Sequence, residues 1–410
     1  MKRFLVLGTC VVSAVVMMAA GVWLVCPKHV NGHTHGCVAA STLGAQERVQ
    51  ELNVTAKAAF LVEANSGKVL FAKDENKRLP IASMVKITTL GVIFDALKDG
   101  AISMGDKVMV SPTASGMGGS QAFLDFDSEY VVEDLVKSII IASANDSCVA
   151  MAERIAGSES EFVGRMNALA GRLGMSNTNY VNCTGLPAAN SYSCAADVAK
   201  MYQYIMKSPF YNYNGMNKVW MYDLSHPSGR VTGLTNTNRH ARFFEGCVGG
   251  KTGFTAEAGH CITVAAVRGA MKPLAVIIGA KDSQARFNES GALLNHVFNG
   301  YENKLIVDAN QKIATMRLKN AFADEVGVYA RENYYDLVKK GAGEVAPTVT
   351  VELGECVNAP VKRDTAVGKV IVTDEGVVVR EIDVVTGVDV DDLNFYEAVK
   401  KATGVYKFFR

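Results

Sequence analysis

The chain has 410 residues, enough for two domains with a core in each. Lys and Arg number 42 against 41 Asp and Glu, and no basic run is interleaved with aromatics, which argues against a nucleic-acid-binding surface. An apolar fraction of 49% is ordinary for a globular protein.

The N-terminus reads as a targeting segment. Met1-Lys2-Arg3 is positive, and Phe4 to Cys26 then runs about 23 residues without a charge, against roughly 20 needed to span a bilayer. That is longer than the usual secretory apolar region of about 7–15 residues. Two outcomes are expected: a signal peptide cut late, after Val38-Ala39-Ala40, or an uncleaved anchor. Either places the bulk of the chain outside the cytoplasm. Leu7-Gly8-Thr9-Cys10 resembles a lipidation box but lies too early in the apolar run. Pro27 to Gln50 is polar and irregular. Its His29, His33, His35 and Cys37 are residue types that bind zinc, but the stretch reads as a linker, and no metal is expected.

Export permits disulfides among the nine cysteines. Cys183 and Cys194 could close a short loop; a free, buried thiol suits the apolar patterns around several cysteines equally well.

From Ala58 to Ala72 the pattern predicts a hairpin, turning at Asn65-Ser66-Gly67-Lys68. An apolar helix is expected to begin at Ser83 and end near Asp99-Gly100. Val131, Leu135 and Ile139 recur on one face of a helix over Tyr130 to Ile141. A break at Ser143-Ala144-Asn145-Asp146 precedes another helix, with Asn145 or Asp146 as its cap. Phe162 to Leu173 reads as helix and Gly246 to Phe254 as strand. Cys261–Val267 and Leu274–Gly279 read as a hairpin, and Gly291 to Tyr301 as helix. The order suits an antiparallel sheet flanked by helices, an α+β fold. Beyond Tyr301, alternation at Val349, Val351 and Leu353 and paired runs over Val367–Val379 predict a small all-β sandwich. Asp391 to Arg410 is amphipathic and basic, suited to a membrane surface or to packing on the β module. The expected divisions are 1–45 (targeting segment and linker), 46–300 (catalytic domain), 301–390 (β domain) and 391–410 (terminal helix).

Three short motifs carry chemistry. Ser83-Met84-Val85-Lys86 places a hydroxyl and an amine three residues apart, on one face of a helix. Serine needs a base to become a nucleophile. Lysine can serve only if burial or a neighbouring charge keeps it neutral. Ser143-Ala144-Asn145 occupies the break between two helices. Lys251-Thr252-Gly253-Phe254-Thr255 follows a Gly-Gly strand. Each alone is weak; the ordered set is specific.

The set resembles the penicillin-interacting serine acyl-transferases. Pro80-Ile81-Ala82-Ser83-Met84, Asn182-Cys183-Thr184-Gly185-Leu186, Asn236-Thr237-Asn238 and Gly249-Gly250-Lys251-Thr252-Gly253 look like the D-alanyl-D-alanine carboxypeptidases, the low-molecular-mass penicillin-binding proteins of peptidase family S11. The resemblance spans about residues 50 to 300. It implies a transpeptidase-type catalytic domain and the following roles. Ser83 is the acyl-ester nucleophile and Lys86 its base. Ser143 relays a proton to the leaving nitrogen, and Asn145 holds Lys86 or the substrate amide. Lys251 lowers the pKa of Lys86 and, with Thr252, binds the terminal carboxylate, supported by Arg286. The backbone N–H groups of Ser83 and Phe254 form the oxyanion hole. The implied partners are a peptidoglycan stem peptide ending in D-Ala-D-Ala, β-lactams and, through either terminus, a membrane surface. No cofactor is implied, and the location is the outer face of a bacterial membrane. His240 and His260 read as ordinary residues. Ala144, Val85 and Ser191-Tyr192-Ser193-Cys194 depart from the family's usual residues without removing a reacting group.

Three rivals remain. A class A β-lactamase would add a Glu-x-x-Leu-Asn motif, which does not follow Asn145. A DD-endopeptidase or transpeptidase would use the same residues. A wall-binding scaffold with a degenerate site would not keep all six side chains.

Overall fold

The computed structural model describes residues 52–341, 347–374, 376–396 and 398–399. The targeting segment, the linker with its histidines, and most of the terminal amphipathic stretch lie outside these residues.

The first described elements form the expected hairpin, β1 (Ala58–Glu63) and β2 (Val69–Lys73). Buried Glu63 ties its turn, with one carboxylate oxygen accepting from Asn65 N, Ser66 N and Ser66 Oγ. Next come α1 (Lys86–Lys98), β3 (Lys107–Met109), α2 (Pro112–Ser115) and β4 (Glu129–Val131). The helices α3 (Val132–Ile141), α4 (Asn145–Ala156), α5 (Glu159–Arg172) and α6 (Ala195–Met206) follow. A second hairpin, β5 (Met221–Ser225) and β6 (Val231–Thr235), leads to α7 (His240–Phe243). Three long strands, β7 (Cys247–Thr255), β8 (Gly259–Ala266) and β9 (Pro273–Ala280), then run into α8 (Ser283–Gly300).

Strands β1, β2, β7, β8 and β9 make one antiparallel sheet in the order β2-β1-β9-β8-β7. Alternate residues of a strand face opposite sides, and the core divides accordingly. Ala58, Val62, Leu274, Val276 and Ile278 pack with α1 and α3 to α6, whereas Ala59, Leu61, Ala275 and Ile277 pack against Leu293, Leu294, Val297 and Phe298 of α8. Strand β9 is apolar along most of its length because both faces are covered. Helix α1 is buried over nearly all its surface, and its buried Thr88 and Thr89 hydroxyls donate to Tyr180 OH and Cys183 O.

Three expectations need correction, and one open alternative closes. Residues Glu129–Val131 are strand, and the helix starts at Val132. The residue before α4 is Ala144, and no side chain caps that helix. Helix α8 begins at Ser283, eight residues before Gly291, because the Asp282 carboxylate accepts the Ala285 N–H at 2.6 Å and starts it there. The six described cysteines are free, five of them buried, including Cys183 and Cys194.

The C-terminal part is sheet-rich. β10 (Tyr301–Val307) pairs with β13 (Tyr334–Lys339), while β11 (Lys312–Lys319), β12 (Glu325–Ala330), β14 (Thr348–Leu353), β15 (Val357–Asn358), β16 (Ala366–Asp374) and β17 (Val377–Thr386) form a second sheet. It has its own core, built from residues such as Met316, Val328, Val370, Val372 and Val384. Leu337 of β13 instead joins the cluster under α8.

Candidate active site

Ser83 sits in a 3-10 turn, Ala82–Val85, that runs into the first residue of α1, Lys86. The turn keeps the two side chains on one side, with Lys86 Nζ 3.1 Å from Ser83 Oγ. Ala82, just before the serine, has φ +48, a left-handed conformation that a side-chain-bearing residue adopts at a cost. Two backbone segments wedge it there. A Cβ on Gly185 would overlap the Ala82 carbonyl, and one on Gly253 would come within 2.8 Å of Ile81 O and 3.0 Å of Ser83 N. Only glycine permits both approaches.

Lys86 is fully buried. Its amine lies 2.7 Å from Asn145 Oδ1 and 2.5 Å from Thr184 O. The Asn145 amide has one possible orientation, because its other end donates to the Gly118 carbonyl at 2.7 Å. Burial pushes the Lys86 pKa below its ordinary 10.5.

Ser143, also at a left-handed φ of +64, faces Lys251 across the site, with Lys251 Nζ 2.8 Å from its Oγ. Lys251 is buried too, and its amine donates to the Thr252 carbonyl at 2.9 Å. Burial first, and the charge of Lys86 second, press the Lys251 pKa well below 10.5. Burial lowers both amines, and the repulsion between their charged forms acts on the pair.

Thr252 Oγ1 donates to Thr237 Oγ1 at 2.8 Å. Arg286, in the first turn of α8, lies behind β7 and donates through Nη1 to Gly253 O and Cys261 O at 3.2 and 3.4 Å. Its Nε is buried with no hydrogen-bond partner. Phe254 is exposed and stacks on His260, ring centroids 4.3 Å apart. His240 is buried against Ser290 at 2.9 Å and takes no part in the site. Among the described residues no group of His, Cys, Asp or Glu could hold a metal ion.

The structure thus brings Ser83, Lys86 and Asn145 into one hydrogen-bonded group and Ser143 and Lys251 into another. Thr252, Gly253 and Phe254 line the strand between the carboxylate end and Ser83. Sequence reading missed three contributors. Thr184 and Gly118 act through backbone carbonyls, which no side-chain pattern reports. Thr237 lies inside the Asn236-Thr237-Asn238 stretch but had no assigned role. Asp146 was read only as a possible cap. It is buried, and its carboxylate accepts from Ser147 N at 2.9 Å and from Ala122 N at 3.0 Å and Leu124 N at 3.1 Å, the last two fixing the loop between α2 and β4.

Residues 45–282 match the model of the peptidase S11 family, described as D-alanyl-D-alanine carboxypeptidase. Residues 301–392 match the C-terminal domain of penicillin-binding protein 5. The chain is 36% identical over 367 residues to the D-alanyl-D-alanine carboxypeptidase DacF of Bacillus subtilis, covering 89% of this chain and 93% of that protein. It is 31% identical to DacC of Escherichia coli, covering 81% of this chain and 83% of that one. The solved structure of penicillin-binding protein 5 from Haemophilus influenzae superposes with a TM-score of 0.65 at 27% identity, over 83% of this chain and 98% of that one. With a family model spanning more than half its length and relatives aligned along most of theirs, the chain belongs to the peptidase S11 family of D-alanyl-D-alanine carboxypeptidases.

Proposed function

We propose that this protein is a serine-type carboxypeptidase that removes the terminal D-alanine from peptidoglycan stem peptides through an acyl-enzyme on Ser83, and that β-lactams acylate the same hydroxyl. The observation that carries this reading is the surroundings of Lys86 Nζ. A neutral amine has two N–H donors and one lone pair. Asn145 Oδ1 and Thr184 O can only accept, and they take both donors. The lone pair is left for the third neighbour, Ser83 Oγ. Lys86 in this state is a base aimed at one proton.

Attack by Ser83 Oγ on the penultimate D-alanine carbonyl passes that proton to Lys86. The developing oxyanion faces the backbone N–H groups of Ser83 and Phe254, and such a donor contributes about 3 kcal/mol. The close approach of Gly253 to Ser83 N supports this pairing of the turn with β7. Ser143, bonded to Lys251, relays to the departing nitrogen the proton that Lys86 took from Ser83, gaining one proton as it gives one up. The substrate carboxylate docks at Lys251, Thr252 and Thr237, and its charge restores the ammonium form that burial disfavours on Lys251. Arg286 adds positive charge behind the strand. Water then hydrolyses the ester. We place the enzyme on the outer face of the cell membrane, supported by the uncharged run from Phe4 to Cys26 and by the amphipathic C-terminal stretch.

Intact mass spectrometry after exposure to penicillin tests the reading. The wild-type protein gains one penicilloyl mass and releases D-alanine from a pentapeptide stem. Ser83→Ala does neither, and an adduct on Ser83→Ala would overturn the assignment.

A further inference from the structure

The segment between α2 and β4, residues 116–128, is held from two sides. On the inner side, Gly118 O accepts from Asn145 Nδ2, Ser120 O accepts from Asn145 N at 2.7 Å, and the Asp146 carboxylate accepts from Ala122 N and Leu124 N. On the outer side the tip of the β5–β6 hairpin grips it. Arg230 Nη2 donates to Phe123 O and, at 2.8 Å, to Asp125 Oδ1, while Ser228 Oγ donates to Asp125 Oδ2 at 2.6 Å.

His226 completes the outer grip, its side chain fully buried. Its Nδ1 lies 3.1 Å from Arg230 Nη2 and 2.7 Å from Tyr130 OH, and its Nε2 lies 2.7 Å from Thr232 Oγ1. Tyr130 OH shares a hydrogen bond with Nδ1 and accepts the Asp125 N–H at 2.9 Å, so the ring and the phenol back the Asp125 end of the grip.

The backbone of the loop is in a shape that needs such contacts. Phe123 and Asp127 stand at φ +60 and +56, left-handed for residues with side chains. Such conformations persist where surrounding contacts over-determine them. Phe123 and Phe126 are largely exposed, so burial anchors the segment only at Ala122 and Leu124. None of these side chains touches the reacting atoms. The loop nevertheless supplies the Gly118 carbonyl, which decides that Asn145 turns its oxygen, and not its nitrogen, toward Lys86.

We propose that the β5–β6 hairpin is a latch, with Arg230 and Asp125 as positioning residues that hold the 116–128 loop so that Asn145 keeps its acceptor on Lys86. The proposal rests on the reading of Lys86 as the base for Ser83.

The test is a double-mutant cycle on acylation of the full-length protein by a fluorescent penicillin, with unfolding midpoints measured on every variant. Arg230→Gln in the otherwise wild-type protein is expected to slow acylation about tenfold, as small misplacements in an active site do. In an Asn145→Ala background the same substitution is expected to change the rate by less than about twofold, because the element it positions is gone. Equal losses in the two backgrounds would overturn the proposal, since they would mean general destabilisation. An unchanged rate in Arg230→Gln alone would overturn it as well. Should Arg230→Gln fold poorly, Asp125→Asn repeats the cycle, with the same two results deciding. Absence of any adduct on the wild-type protein would instead sink the acyl-enzyme reading itself, and the latch with it.

Discussion

In the proposed mechanism, Lys86 is where burial becomes catalysis. Deep in the fold its ammonium form is costly, and with both N–H groups committed to carbonyl oxygens the neutral amine is an oriented base. A pH dependence follows, with its sign fixed. Lys86 must be deprotonated to work, so acylation of Ser83 should rise with pH through an inflection below 10.5. A flat profile, or an inflection at the ordinary lysine value, would contradict the role. Stability moves the same way. Between the folded and unfolded pKa of Lys86 the unfolded chain binds the extra proton, so this residue makes the fold more stable as pH rises across that window. The pairing of Ser83 with Lys86 was legible because a three-residue spacing survives the exchange of a 3-10 turn for α-helix. The other partners of the amine were only half legible. Asn145 is a side chain in a recognisable break, whereas the Thr184 oxygen belongs to the backbone and leaves no mark in residue identity.

At the scale of elements, the site is a set of close backbone approaches more than a set of helices. The Thr184–Gly185 turn both accepts from Lys86 and presses against Ala82 beneath the nucleophile. Gly185 stands at φ +81 and has no room for a side chain. Gly185→Ala is therefore expected to shift base and nucleophile together. Penicillin acylation should fall at least about 100-fold, because a shift of about 1 Å carries that cost, and the melting temperature should drop as well. A normal acylation rate would show that the turn does not set the geometry. The strands β1, β2, β7, β8 and β9 and the helices α1, α3, α4 and α5 could be read from periodicity, whereas α6, packed on α1, was not. Elements defined by termini and tips escaped as well. Helix α8 starts where Asp282 caps it, and its extra turns place Arg286 behind Gly253. The β5–β6 hairpin, rich in Ser, Gly and Thr, has too few apolar residues to show a strand pattern.

Across the whole molecule, the catalytic part and the β-rich C-terminal part meet at α8 and β13. Leu337 of β13 is buried in the cluster formed by Leu293, Leu294, Val297 and Phe298, and Lys68 Nζ reaches Leu337 O at 3.1 Å. Leu337→Ala should cost about 2–5 kcal/mol, the usual range for a buried leucine. Chemical denaturation of the full chain is expected to show this as a lower midpoint, and an unchanged midpoint would mean that the junction bears no stability. The C-terminal sheet was legible in its last strands, where valines recur at Val367 to Val379. It was not legible over Tyr301 to Lys339, where strands such as Tyr301–Val307 carry Glu, Asn and Lys between their few apolar residues. Helix α8 joins the two regions in another sense. It is a rod of 18 residues, about 27 Å long. One end carries the guanidinium that braces β7 beside Lys251, and the other end receives Leu337. A single rigid element thus ties the strand that carries Lys251 to the junction with the C-terminal sheet.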